Sequence, residues 1–257
     1  PRKVLHAAYQ PQLINTNEEK IKLLNKTGID YCIILDFTLG LSQLSAEGFI
    51  DQILRKQLNV KHLLIGYDHR FGHNRSEGFE DYVNYGKTYG IEIIQSTPYT
   101  LDNITISSST IRRKLSDGEI SEANYLLGYP YQIEGTIIHG RQLGRTIGFP
   151  TANIAINDID KIIPKEGVYA TKVLLDGVDY QGMLYIGNRP TVDNGNDISV
   201  EVNILDFNKE IYDKQLTITF IKHIRNDEKF KSLEELKKQL FADREATRHI
   251  LNAFLDK

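Results

Sequence analysis

The chain has 257 residues, 40% hydrophobic and 25% charged, with a formal net charge of −3. That length suits two modest domains with buried cores, the composition is ordinary globular material, and the slight acidity argues against a nucleic-acid backbone as main partner. A single cysteine, Cys32, excludes an intramolecular disulfide and any cysteine-rich metal site, and with no run of about 18 apolar residues and no signal-like segment a cytoplasmic protein without a membrane span is expected.

From the start, Thr16 to Glu19 forms a capping box for a helix carrying Ile21, Leu23 and Leu24, and Gly28 stops it. The apolar run Tyr31 to Phe37 predicts a buried strand, with Cys32 as a buried structural thiol. Ser45 then caps a second helix, with Leu44 and Phe49 as its hydrophobic staple and Ile50, Ile53 and Leu54 continuing its apolar side. A strand at His62 to Gly66, a helix with Phe79, Tyr82 and Val83, and a strand at Ile91 to Gln95 follow. Helices alternating with short, nearly continuous apolar strands predict a parallel α/β sheet. Two short helices, Thr110 to Leu115 and Ser121 to Leu127, end at Gly128.

Beyond Tyr131 the period changes to two. Runs at Gln132 to His139, Val168 to Leu175, Val178 to Ile186, Ile198 to Leu205 and Leu216 to Ile221 alternate, and Asp176-Gly177 is a hairpin signal. Five or six such strands predict a closed antiparallel β-barrel. Ser232 to Glu235 is a further capping box, and Leu233, Leu236, Leu240, Ile250, Leu251 and Phe254 form the apolar side of one or two terminal helices packed on that barrel. The fold class is therefore a Rossmann-like α/β domain at 1–128 followed by a small β-barrel domain at 129–257.

Between the first two barrel runs lies His139 to Asn153, with Gly140, Gly144 and Gly148 spaced by four. Glycines at that spacing let a backbone wrap closely around a ligand. Arg141 and Arg145 add positive charge, and Thr151 and Asn153 follow a stiffening Pro150. Donors, charge and a hard-oxygen pair suit a nucleoside triphosphate with Mg²⁺. No Gly-Lys-Ser/Thr closes the run, so it is not a Walker A loop. The alternative is a glycine-rich turn whose Thr and Asn cap it. On the strand at Ile198 to Leu205, alternation places Val200, Val202 and Ile204 on one face and Glu201 and Asn203 on the other, and by pattern alone Glu201 is a solvated carboxylate.

The run His-Gly-x-x-x-Gly-Arg-x-x-Gly-Phe-Pro-Thr-Ala-Asn resembles the flap and Pro-Thr-Ala-Asn signature of riboflavin kinases, which make FMN from riboflavin and ATP. In bacteria that kinase is usually the C-terminal half of a bifunctional FAD synthetase whose N-terminal half is an FMN adenylyltransferase. The resemblance implies that Thr151 and Asn153 hold Mg²⁺ and the ATP phosphates, and that the glycine flap with Arg141 and Arg145 closes over the nucleotide. The stretch around Glu201 is similar to Glu-x-His/Asn-x-Leu-Asp-Phe, which implies that Glu201 activates the riboflavin 5′-hydroxyl; Asn203 stands where many relatives have His. Gly187-Asn-Arg-Pro-Thr191 resembles a loop close to the nucleotide. Arg225 with Lys229-Phe230 resembles the flavin flap, with Asp227 in place of the usual Glu; by pattern alone Arg225 is a surface cation and Phe230 a staple onto the last helix.

In the first half, Ile106 to Arg112 is similar to the Ile-Ser-Ser-Thr-x-Ile-Arg motif of adenylyltransferases, implying phosphate contacts from Ser108, Ser109 and Arg112. As a bare pattern it is a serine-capped helix. Gly66 to Gly72 resembles the Gly-x-Asp-Phe-x-Phe-Gly run, with Asp68 facing flavin and His69 replacing an aromatic. The His-x-Gly-His motif of such adenylyltransferases does not occur in the sequence, which begins at Pro1. The resemblance thus implies an N-terminally incomplete copy of a bifunctional enzyme, making FMN but not FAD as it stands. A flavin- or nucleotide-binding module without catalysis is the alternative from another class.

Overall fold

The computed structural model describes residues 2–6, 8–73, 75–102, 104–140, 143–190 and 196–255, with the backbone alone for 2, 143, 189, 190, 196, 197 and 255. The chain forms two compact units, residues 1–11 with 18–106, and residues 12–17 with 107–257.

The first unit holds α1 (Arg2–Leu5), α2 (Asn17–Asn25, whose Asn17 is assigned to the other unit), α3 (Leu39–Ser42), α4 (Ala46–Phe49), β1 (His62–Ile65), α5 (Phe79–Tyr89), β2 (Glu92–Gln95) and a two-residue hairpin of β3 (Thr100–Leu101) and β4 (Ile104–Thr105). Ser45 caps α4 as its sequence predicts, its side chain accepting from the Gly48 N–H at 3.0 Å. The helix then widens into a π-helix over Ile50–Gln57, a change of hydrogen-bond step that no sequence period signals. β1 and β2 pair in parallel from His62↔Glu92 to Ile65↔Gln95. Ala46, Ile50, Leu54, Ile65, Tyr82 and Ile91 form the core of this unit.

The strand expected at Tyr31 to Phe37 does not form. These residues join no sheet, with Tyr31 89%, Ile33 59% and Ile34 66% exposed, and Cys32 is an exposed free thiol rather than a buried one. An apolar run becomes a buried strand only where a neighbouring strand satisfies its N–H and C=O groups. Among the described residues nothing pairs with this one.

The second unit opens with α6 (Ser108–Ser116) and α7 (Ile120–Leu127), which ends on Gly128 in the left-handed conformation. Asn124 of α7 ties it to the sheet, donating to the Phe220 carbonyl at 2.9 Å and accepting from the Tyr131 N–H at 2.8 Å. Then come β5 (Gln132–Ile138), the single-turn α8 (Leu143–Thr146), β6 (Ala152–Ile156), β7 (Gly167–Leu175), β8 (Val178–Pro190), β9 (Asn196–Ile204), β10 (Gln215–Arg225) and α9 (Leu233–Leu255). The strands close into an antiparallel barrel in the order β10-β5-β6-β9-β8-β7. β6 falls inside the glycine stretch, where its sequence alone predicts no strand. β8 runs on through Gly187 to Pro190, so that motif ends a strand instead of forming a loop, and Thr191 lies outside the described residues.

Period-two burial explains the closure: on β5, Ile133, Gly135 and Ile137 are buried and alternate with more exposed neighbours. On β10 the alternation slips between Phe220 and Lys222, so that Phe220 and Ile221 are both buried. The bulge turns Ile221 toward α9, where it meets Ala170 and Leu251. A single helix covers this side, and the capping box appears as the Ser232 hydroxyl accepting from the Glu235 N–H at 3.1 Å. Leu251 is fully buried, whereas Leu233 and Phe254 are exposed, the Phe254 ring centroid lying 5.0 Å from the Lys172 ammonium of β7.

Candidate active site

The register of three adjacent strands assembles the site. On β6 and β9, Asn153 lies opposite Glu201, and on β5 and β6, Ile138 lies opposite Asn153. The chain therefore leaves β5 at His139-Gly140 directly beside Asn153. Here the absence of a side chain matters, since a Cβ on Gly140 would collide with the Asn153 amide. Thr151, one residue before β6, donates its hydroxyl to Glu201 Oε2 at 3.1 Å. Ser199, two residues before Glu201 on β9, donates to Oε1 at 2.9 Å.

The exit of the glycine stretch is pinned from below. Phe149 is buried against Val168, Met183 and Leu205, and its N–H donates to the Gly144 carbonyl at 2.8 Å. Asn203, buried on the same strand as Glu201, donates its amide to the Pro150 carbonyl at 2.7 Å. Asn203 thus positions the residue preceding Thr151. Gly148 takes φ +86°, and Gly144 sits with Thr151 Oγ1 just beyond where its Cβ would be.

Beside these groups opens a cleft of about 320 Å³ lined by Arg145, Thr151, Val202, Phe207 and Tyr212 among others. The Tyr212 ring stacks on His139 with centroids 3.8 Å apart. Arg145 is exposed, and Arg141 lies outside the described residues.

Across β9, Tyr185 of β8 lies opposite Glu201 and donates its hydroxyl to Asp227 at 3.1 Å. Burial, then the charge and hydrogen bond of Asp227, with smaller contributions from Glu201 and Glu166, push its pKa up to about 12, so the phenol is a fixed donor at neutral pH. Asp227 lies just beyond Arg225, the last residue of β10, and Phe230 follows it, its ring centroid 5.5 Å from the Arg225 guanidinium. Arg225 is also bound to α9: its Nε and Nη2 grip Asp243 at 2.8–3.1 Å, with Asp243 only 2% exposed and held further by Gln239.

The remaining expected residues lie elsewhere. Asp68 lines a cleft of about 340 Å³ in the first unit, with Gly66, His69, Phe79 and Gln95, at the C-terminal end of β1. Ser108 and Ser109 are exposed in the first turn of α6, behind the Ser107 cap, and Arg112 donates its Nε to the Gln12 carbonyl at 2.6 Å. The two sets fall in different units. Among the described residues, no cluster of His, Cys, Asp and Glu is arranged to hold a metal; Thr151 and Asn153 are neutral donors outside that set.

Sequence reasoning alone missed Ser199, Tyr185 and Asp243. Ser199 had a usable signal, its i−2 spacing from Glu201 on a strand, whereas Asp243 is one of many charges on α9 and nothing local marks it.

The barrel gathers hydroxyl, amide and carboxylate groups beside Gly140, and the chain also holds a unit with a parallel strand pair; FAD-synthesising enzymes share this two-part organisation. The riboflavin kinase family profile matches residues 127–251 and the FAD synthetase profile residues 1–110. The bifunctional riboflavin kinase/FMN adenylyltransferase of Listeria monocytogenes is 39% identical over 240 residues, covering 93% of this chain and 75% of that protein. That of Escherichia coli K12 is 38% identical over 234 residues, covering 91% and 74%. The chain belongs to the bifunctional riboflavin kinase/FMN adenylyltransferase family. A crystal structure described as a macrolide-efflux protein from Streptococcus pneumoniae is also similar, with 34% identity, a TM-score of 0.87, and coverage of 96% of this chain and 80% of that one. Efflux is that protein's description only; among the described residues here, no helix is long and apolar enough to cross a membrane.

Proposed function

We propose that residues 129–257 transfer the γ-phosphoryl group of ATP to the 5′-hydroxyl of riboflavin, giving FMN and ADP, and that residues 1–128 are the FMN adenylyltransferase portion of the same FAD-forming enzyme. One observation carries the reading: Thr151 and Asn153 at the start of β6 and Glu201 on β9 converge beside the Gly140 approach. In the reaction a bond forms between the riboflavin 5′-oxygen and the γ-phosphorus, and the bond from that phosphorus to the β–γ bridging oxygen breaks. ADP leaves, and the hydroxyl proton passes to the Glu201 carboxylate.

Thr151 and Asn153 supply hard oxygen donors suited to Mg²⁺, an ion that keeps water and phosphate oxygens as its remaining ligands. Their setting fits such a role, because the Thr151 proton is directed at Glu201, leaving the oxygen's lone pairs for a cation, and Asn153 is held close to Gly140. Bound there, Mg²⁺ would neutralise phosphate charge. Arg145 and Arg141 offer positive charge from the flap, and the cleft beside Tyr212 suits the nucleotide. Arg225 and Phe230, stacked on each other, form a lid for the flavin ring. For adenylyl transfer, Asp68 lies at a strand C-terminal end, where ligands of parallel sheets bind, and Ser108, Ser109 and Arg112 sit at a helix start suited to phosphate. Substrates of this kind put its site of action in the cytoplasm.

The test is chromatography of the products formed from riboflavin, ATP and Mg²⁺. FMN is expected, with formation stopped by excess chelator. FMN formation at full rate in chelator would overturn the assignment of Thr151 and Asn153, and binding of riboflavin without any FMN would favour a non-catalytic flavin module. Against that module stands the grip on Glu201 at both oxygens, which a binding site has no use for.

A further inference from the structure

Ser199 is a polar side chain that folding hides, 7% exposed, and phosphoryl transfer as derived above assigns it no part. Strand alternation places it on the same face as Glu201. Its hydroxyl donates to Glu201 Oε1 at 2.9 Å while Thr151 holds Oε2 at 3.1 Å. The carboxylate is therefore fixed by two hydroxyls from two different segments, one on its own strand and one at the entry to β6.

The opposite strand makes room for this arrangement. Gly187 lies across from Ser199 and Tyr185 across from Glu201. A Cβ on Gly187 would run into the Tyr185 phenol, so the glycine lets the ring lean along β8 toward Asp227. The Tyr185 hydroxyl proton is directed at Asp227, and it is the Ser199 proton that is directed at Oε1 of Glu201.

We infer that Ser199 is a positioning residue for phosphoryl transfer. By holding Oε1 it keeps the flexible glutamate in one rotamer, with a carboxylate oxygen presented to the attacking 5′-hydroxyl. The inference rests on the reading of Glu201 as the base. General-base assistance depends on hydrogen-bond reach to the reacting proton, and a misplacement of about 1 Å is enough to cost about a hundredfold in rate. With Thr151 still in place the loss on removing Ser199 is partial.

The experiment compares Ser199→Ala and Ser199→Thr in the full chain, measuring kcat and KM for riboflavin and ATP together with the urea midpoint. Ser199→Ala is expected to lower kcat by about tenfold, with both KM values within about twofold and the urea midpoint nearly unchanged. Ser199→Thr, which restores the hydroxyl, should recover most of the loss. Adding Ser199→Ala to Glu201→Gln should have little further effect, because residues acting as a unit are not additive. A normal kcat in Ser199→Ala overturns the inference, as does an equal fall in the Ala and Thr variants with a lowered urea midpoint, which would mark Ser199 as structural. An undiminished Ser199→Ala effect on the Glu201→Gln background would also overturn it. Normal turnover in Glu201→Gln alone would remove the base reading, a separate result that takes this inference with it.

Discussion

In the barrel each strand has a hydrogen-bonded neighbour on both sides, and Ile133, Ile137, Leu184, Ile186 and Ile218 are essentially fully buried. In the parallel pair of the first unit, β1 and β2 each have one partner among the described residues, and Leu64 stays 66% exposed and Ile94 42%. Both regions are built from similarly apolar strands. Antiparallel strands joined by short turns such as Asp176-Gly177 can close on themselves, which removes edges and satisfies their own backbone groups. Parallel strands depend on partners far away in the chain. Hydrophobic content is thus a weak guide to burial, and the supply of hydrogen-bonding neighbours decides it.

That contrast can be broken or sharpened by mutation. The largest effect is expected for Phe220→Ala, which empties a fully buried site between Tyr131 and Tyr169 and should lower the stability of the barrel unit by about 3–5 kcal/mol in urea unfolding. A loss below about 1 kcal/mol would mean the barrel core is not the close-packed region described. Glu201→Gln should lower riboflavin turnover by at least about a hundredfold, equal to about 2.7 kcal/mol of barrier, with riboflavin binding largely kept. A near-normal rate would return Glu201 to a solvated carboxylate.

Next comes Asp243→Asn, which leaves the Arg225 guanidinium without its charged partner and should destabilise the unit by about 2 kcal/mol. Because Arg225 also stacks on Phe230, riboflavin KM should rise as well; an unchanged KM would separate the α9 tie from the flavin lid. Tyr185→Phe removes only the hydrogen bond to Asp227, about 1 kcal/mol, so a rise of about fivefold in riboflavin KM is expected. Smallest of all, Leu64→Ser on exposed β1 should change stability by no more than about 0.5 kcal/mol. A large loss there would show that Leu64 is covered in solution.

Much of this protein is readable from local pattern. Period-two alternation marked five of the six barrel strands, Ser45 and Ser232 announced their helix starts, and the glycine spacing with Thr151, Asn153 and Glu201 singled out the residues that the barrel brings together. The strands and helix starts are short-range properties, carried by side-chain periodicity and capping chemistry, whereas Glu201 reads locally as a solvated carboxylate and stood out only through the family resemblance of its stretch. Only the tertiary structure decided that Thr151 and Ser199 take opposite oxygens of one carboxylate, that Arg225 is bound to Asp243, and that Tyr31 to Phe37 stays unpaired. Each of those depends on which distant segment arrives to satisfy a polar group. β9 brings Ser199 and Glu201 to the entry of β6, α9 brings Asp243 to the end of β10, and no strand among the described residues arrives at Tyr31, because a residue's partners are set by the register of strands and helices far from it in the chain.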